Sequence, residues 1–257
     1  MLPSIDSPSA TRLASLDRLA KNARRGQWSA EEAIDWGLGP RLPIWMTREK
    51  ARGAISQLYH GEIATSRLCR DLLDVVEAGP AADCLRLQIA DETRHAAVYE
   101  RYLARLGGVA AINQSLDEAL EAARSGPFGP LGAILAFHLV LESELLRVHG
   151  SLAQLLPCPL LKQINRLVAR DEARHVAFGR LYLADLVAGL SDDARRSLHG
   201  WIYGLWRETT EGALATTKRG GLAQSALQHW LQGGWRHHEA TLRQIGLTRG
   251  LQEATVP

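Results

Sequence analysis

Apolar residues recur three and four positions apart over long stretches of this chain, and no stretch alternates with the period of a strand. Ile55, Leu58, Glu62, Thr65, Cys69, Leu72 and Val76 mark one face of a helix, and Leu85, Ile89, Glu92, Ala96, Tyr99 and Leu103 mark the face of the next. Glycine and proline punctuate the pattern. Thr47 is predicted to start a long helix that ends near Gly79-Pro80, and Pro80 opens a second that stops at Gly107-Gly108. Gly126-Pro127-Phe128-Gly129-Pro130 resets the chain for a third helix reaching Leu156, and a fourth follows Pro157-Cys158-Pro159 to about Gly189. Two capping boxes, Ser29-x-x-Glu32 and Ser115-x-x-Glu118, predict shorter helices before and between these. Ser191 caps a further helix, and Gly220-Gly221 separates it from a last one. The expectation is an all-α chain: a helical arm over 1–46, a four-helix bundle over 47–190, and C-terminal helices over 191–257 packed on it as one domain.

The apolar stripes carry carboxylates where apolar residues belong. A buried unpaired carboxylate costs several kcal/mol, so it has to be neutralised, paired or metal-bound. The pentapeptide Asp91-Glu92-Thr93-Arg94-His95 recurs as Asp171-Glu172-Ala173-Arg174-His175, and a glutamate stands 30 residues before each motif glutamate: Glu62 and Glu142. The repeat runs beyond these residues, with Arg67 matching Arg147, Arg86 matching Arg166, Tyr102 matching Tyr182 and Leu103 matching Leu183. Glu144, two residues from Glu142, competes for the fourth carboxylate position, and the Arg67–Arg147 match favours Glu142. Residues three apart share a helix face, so Glu92 with His95, and Glu172 with His175, can reach one pair of ions. Four carboxylates and two imidazoles are the ligand set of a di-iron centre in a four-helix bundle. Two divalent ions cancel four negative charges that would otherwise repel one another. Asp91 is expected to hold the second ring nitrogen of His175, and Asp171 that of His95, with Arg94 and Arg174 neutralising the aspartates.

The doubled pattern of Glu62 with Asp91-Glu92-x-Arg94-His95, and Glu142 with Asp171-Glu172-x-Arg174-His175, resembles the ferritin-like di-iron carboxylate proteins. That family includes multicomponent monooxygenase hydroxylases, ribonucleotide reductase small subunits and arylamine N-oxygenases. The Asp and Arg of each motif resemble its oxygenase branch. Two departures stand out: Val168 occupies the place of an extra histidine in the arylamine N-oxygenases, and multicomponent hydroxylases are much longer chains. The resemblance implies a ferritin-like bundle in which Glu62, Glu92, His95, Glu142, Glu172 and His175 bind two irons, or a manganese/iron pair. It implies O2 activation by a monooxygenase-type enzyme that hydroxylates, N-oxygenates or desaturates a small organic substrate. Two alternatives stay open: a ferroxidase or iron-binding protein, and a radical-storing Mn/Fe ligand-binding oxidase resembling the reductase small subunit.

Composition narrows the partners. The 257 residues carry a net charge of +2, and their basic residues are spread out, which gives no electrostatic case for nucleic acid or a membrane. No apolar run spans a bilayer, and Met1–Ala10 lacks an export pattern, so a cytoplasmic location is expected. Cys69, Cys84 and Cys158 form no Cys-x-x-Cys pair, which argues against a disulfide framework or a rubredoxin-type iron site. No flavin or nicotinamide fingerprint is present, so a ferredoxin or reductase is expected as external electron donor, and a homodimer as the assembly. Tyr59, Tyr99, Tyr102 and Tyr182 invite a redox reading or plain core packing; Thr65 either lines an oxygen pocket or fills the core; His138 and His149 flank Glu142 at helical spacing. Trp28, Trp36 and Trp45 read as a lid or packing arm. Trp201, Trp206, Trp230 and Trp235, with His229, His237 and His238, read as packing against the bundle or a second subunit rather than as another metal site.

Overall fold

The structure, a computed structural model, describes the backbone of residues 8–215 and 221–250, and their side chains except those of 153–155, 213–215 and 221–232. Helices are its only regular elements among the described residues. Four long ones surround the centre: α3 (Arg48–Leu73), α4 (Pro80–Ala104), α7 (Glu142–Leu155) and α8 (Pro159–Ala188). Before them come α1 (Ala10–Arg25) and the single turn α2 (Ala30–Ala33). Between the pairs lie α5 (Gln114–Ser125) and α6 (Gly129–Ile134), and after them α9 (Asp192–Ala215) and α10 (Gly221–Gln244). No described helix is long and apolar enough to cross a membrane. The all-α expectation holds.

Local signals explain most boundaries. The Thr47 hydroxyl accepts from the Lys50 amide and starts α3 as predicted, while Pro80 and Pro159 open α4 and α8, where a missing N–H costs nothing. Other readings are corrected. Helix α3 ends at Leu73, six residues before Gly79, in a turn closed by Asp74 and Val75 amides. Neither capping box forms: the Ser29 side chain makes no cap bond, and α5 starts at Gln114, capped by Asn113 Oδ1 accepting from the Ser115 amide at 2.9 Å. Asn113 sits nearer the first free amides than Ser115 and takes the role. The Ser191 cap is present, with its hydroxyl accepting from the Ala194 amide at 3.2 Å. Gly220, half of the predicted Gly220-Gly221 break, lies outside the described residues.

One feature had no sequence signal. Leu135–Leu141 is a π-helical segment inserted between α6 and α7, and the Glu142 amide donates to Phe137 carbonyl, five residues back rather than four. It contains neither glycine nor proline.

Helices α3 and α4 pack together, as do α7 and α8, and α4 meets α8 across the middle; α1 lies over both α4 and α8. The buried apolar residues form two clusters. One gathers Leu68, Cys69, Leu85, Leu139 and Val176 with α1, α9 and α10; the other gathers Leu58, Tyr99, Leu145 and Val168 with α2. On each long helix a glutamate falls between a residue of one cluster and a residue of the other: Glu62 after Leu58, Glu92 after Leu85, Glu142 after Leu139, Glu172 after Val168. The polar layer is thus closed off from water on both sides by hydrocarbon.

Candidate metal centre

All six sequence-predicted ligands meet in this layer, none more than 3 % exposed. They form two overlapping groups, Glu62–Glu92–His95–Glu172 and Glu92–Glu142–Glu172–His175, and within each the potential ligand atoms lie within 4.8 Å of one another. In the first, His95 Nδ1 stands 3.2 Å from Glu62 Oε2, 3.2 Å from Glu172 Oε1 and 3.4 Å from Glu92 Oε2. In the second, His175 Nδ1 stands 2.9 Å from Glu172 Oε2, 3.2 Å from Glu92 Oε1 and 3.7 Å from Glu142 Oε1. Glu92 and Glu172 therefore turn one oxygen to each histidine and belong to both groups, while Glu62 faces only His95 and Glu142 only His175.

An imidazole nitrogen has one hydrogen or one lone pair, so it cannot bond three carboxylate oxygens at once. Atoms about 2.1 Å from one ion, at right or tetrahedral angles, lie about 3.0–3.4 Å apart, which is the spacing around His95 Nδ1, while the oxygens around His175 Nδ1 spread somewhat wider, from 2.9 to 3.7 Å. Four buried carboxylate oxygens, Glu62 Oε1, Glu92 Oε2, Glu142 Oε2 and Glu172 Oε1, have no hydrogen-bond partner. Orphaned buried oxygens of this kind cost on the order of 1–3 kcal/mol each or more when charged. The donor set fits two cations. Without them, burial and then the Glu172 charge push Glu62 and Glu142 well above the usual carboxylate range. His95 and His175 move up: burial opposes this most, but the charge of Glu62 beside one and of Glu92 beside the other, added to the hydrogen bonds to the surrounding carboxylates, together outweigh it.

The outward ring nitrogens are held crosswise. His95 Nε2 lies 3.2 Å from Asp171 Oδ2, and His175 Nε2 lies 3.4 Å from Asp91 Oδ2. Arg94 reaches Asp91 at 2.5 Å and Asp171 at 2.9 Å; Arg174 reaches Asp171 at 2.7 Å and Asp91 at 3.1 Å. Burial would raise Asp91, but the hydrogen bond and charge of His175 win and bring it down to about 2; Asp171 is lowered likewise, chiefly by the His95 bond against burial and then by Trp28.

Sequence reasoning missed part of this frame. Gln27 Nε2 donates to Asp91 at 2.9 Å and Trp28 Nε1 to Asp171 at 2.7 Å, both from the chain just after α1, and Arg94 lies 4.6 Å over the Trp28 ring. Nothing in the spacing of Gln27 and Trp28 links them to residues 64 and 143 positions away. Gln88 was also missed, although it stands one turn before Glu92 on the same face: its Nε2 donates to Glu92 Oε1 at 2.9 Å and Glu142 Oε1 at 3.2 Å.

The remaining sequence candidates fall as follows. Glu144 points away from the cluster, to Arg147 at 2.9 Å and His238 at 3.0 Å. His138 bonds Gln88, and His149, buried with both ring nitrogens unpartnered, stacks on Tyr99. Tyr99 donates to Asn165 at 3.3 Å, Tyr102 meets Cys158, Tyr182 stacks on Phe178, and half-buried Tyr59 lies against His60. Thr65 is buried with its hydroxyl unpartnered, and Cys69 is a buried free thiol. Trp36 packs under Arg101, whereas Trp45 is exposed. Trp206 and Trp235 pack around His238, Trp201 lies against Phe128, and His237 touches His238. The His229 and Trp230 side chains lie outside the described residues.

No protein-family model matches the chain, and no curated protein matches it. Solved structures do. An R2-like ligand-binding oxidase with aerobically reconstituted Mn/Fe cofactor superposes with a TM-score of 0.69 at 16% identity, over 90% of this chain and 93% of that one. A variant of such an oxidase with anaerobically reconstituted Mn/Fe cofactor gives 0.65 at 19% identity, over 88% and 92%. The R2-like ligand-binding oxidase from Sulfolobus acidocaldarius gives 0.56 at 18% identity, over 87% and 89%. The chain thus has the ferritin-like fold of these proteins, and the expectation of that fold is met.

Proposed function

We propose that Glu62, Glu92, His95, Glu142, Glu172 and His175 hold two redox-active ions, iron with iron or manganese with iron, in an O2-dependent oxidoreductase acting on a small organic substrate. The observation that carries this reading is the convergence of four buried carboxylates on two imidazole nitrogens, each nitrogen facing three carboxylate oxygens, with one oxygen of every carboxylate left without a hydrogen-bond partner. Such a pair of ions, when bound, supplies the electrons that reduce O2 and the oxidising power turned on the substrate.

The chain's own residues do the rest. Asp91 and Asp171 fix the histidine rings so that each Nδ1 faces the centre. The two apolar clusters keep bulk water out. Ion binding displaces protons from Glu62 and Glu142, so loading weakens as pH falls. Half-buried Trp28, bonded through Asp171 to His95, forms a continuous hydrogen-bonded route from the surface to the centre, and we assign it to electrons from an external ferredoxin or reductase.

Elemental analysis and Mössbauer spectroscopy of protein loaded with ferrous iron test the reading. Two coupled irons per chain, and oxygen uptake by the reduced protein that rises with a substrate, are the expected results. A wild-type chain that binds less than one ion sinks it. The ligand-binding oxidase alternative is favoured by the structural likeness to Mn/Fe proteins and by buried Tyr99, one turn past His95. A stable mixed-metal or tyrosyl paramagnetic signal after aerobic loading selects it over substrate oxygenation.

A further inference from the structure

We propose that Gln88 makes the two ion positions unequal, so that the His95 position fills first and the His175 position second. This rests on the six residues binding two ions, as above. The oxygens facing His175 Nδ1 include Glu92 Oε1 and Glu142 Oε1, and Gln88 Nε2 donates to both, at 2.9 and 3.2 Å. The oxygens facing His95 Nδ1 are Glu62 Oε2, Glu92 Oε2 and Glu172 Oε1, and among the described residues no amide donates to any of them.

The amide is fixed in this orientation. Its Oε1 lies 3.0 Å from His138 Nε2, so the imidazole donates to it and leaves the NH2 for the carboxylates. His138 is carried by the π segment, and its place depends on Gly179, where a Cβ would stand 2.7 Å from His138 Cβ. All three residues break the internal repeat. Eighty positions on, Gln88 matches Val168; eighty back, His138 matches Leu58 and Gly179 matches Tyr99. The half of the molecule around His95 therefore has no equivalent of this donor.

The physical consequence is competition. An ion entering the His175 position needs lone pairs on oxygens that already accept from the amide, and each such bond draws charge from the carboxylate. A hydrogen bond to a charged group corresponds to roughly ten-fold or more in an equilibrium constant. The His95 position offers unshared oxygens and carries no such penalty. Gln88 acts here as a positioning residue through Glu92 and Glu142.

The test is an anaerobic titration of the metal-free full chain with Mn(II), following free Mn(II) by its paramagnetic signal. Wild type is expected to bind two ions in steps roughly ten-fold or more apart. His175→Ala should keep one ion at the affinity of the first step, and His95→Ala one ion at that of the second. Gln88→Leu should tighten the second step by roughly ten-fold and merge the two. Equal steps in wild type, a reversed pattern in the histidine variants, or a second step that is unchanged or lost in Gln88→Leu would overturn the proposal. Should circular dichroism show Gln88→Leu unfolded, Gln88→Glu decides: ionised, it has no hydrogen to donate, and persistence of the gap refutes the role given to the amide. Absence of any Mn(II) binding by wild type would instead remove the two-ion reading itself.

Discussion

The α3–α4 half and the α6–α8 half of this bundle supply the same three candidate ligands from the same repeat, yet they deliver them by different backbones. Glu62 sits in the middle of 26 uninterrupted α-helical residues. Glu142 follows a seven-residue π segment that offsets the register by about one residue. Around the first half the neighbours are Tyr99, Thr65 and Asn165; around the second they are Gln88, His138 and the bare backbone of Gly179. Duplication accounts for the six converging side chains, and divergence around them gives the two groups different neighbours. The identity of the converging side chains is therefore a poor guide to how alike their two surroundings are.

The comparison breaks most completely at the shared carboxylates. Glu92→Ala and Glu172→Ala should each drop the content from two ions to near none, while Glu62→Ala and Glu142→Ala should each leave about one, as read by elemental analysis with circular dichroism as the folding control. A smaller effect, confined to the second half, is expected at Gly179. An added methyl would press on His138 Cβ at 2.7 Å and Leu139 Cδ2 at 2.9 Å, so Gly179→Ala should cost about 3 kcal/mol in urea unfolding.

Acid separates the halves further. Burial, outweighing the charge of Glu172, lowers His149 to about 4, so the folded protein resists its protonation while the unfolded chain accepts a proton near pH 6.5. The depressed value means that its stabilising contribution is present above pH 6.5 and is lost as pH falls toward 4. His149→Leu should remove about 2 kcal/mol of acid-induced loss at pH 5, visible as a flatter plot of urea midpoint against pH. An equally steep plot would show that this ring finds a partner. The smallest change belongs to the regular half: a Cβ at Gly53 meets nothing within 4 Å, so Gly53→Ala in α3 should raise stability by about 1 kcal/mol, against the loss at Gly179.

How much of this could be read from the chain follows the range of the interactions. The shared face of Glu92 with His95 and of Glu172 with His175, and stripes such as Ile55 to Val76, are local and were legible. So were the crossed Asp–His pairings, because the repeat supplies both partners. The π segment left no mark, since Leu135–Leu141 reads as an apolar buried helix and its neighbours Gly179 and Gln88 come from other helices. Helix α1 was not anticipated as a separate element, and with it went Gln27 and Trp28, whose partners come from other helices far along the chain. Ser29 and Ser115 matched a capping motif that the folded backbone does not use, because the motif records preference and leaves the choice among neighbouring acceptors to the tertiary structure.

The square of Asp91, Asp171, Arg94 and Arg174 sums to zero formal charge. Two divalent ions among four ionised glutamates sum to zero as well. A filled centre framed in this way exerts little pull on passing ions of either sign, so a visiting molecule is sorted by contour and by the few hydrogen-bonding groups it meets, and raising the salt concentration should leave its capture almost untouched.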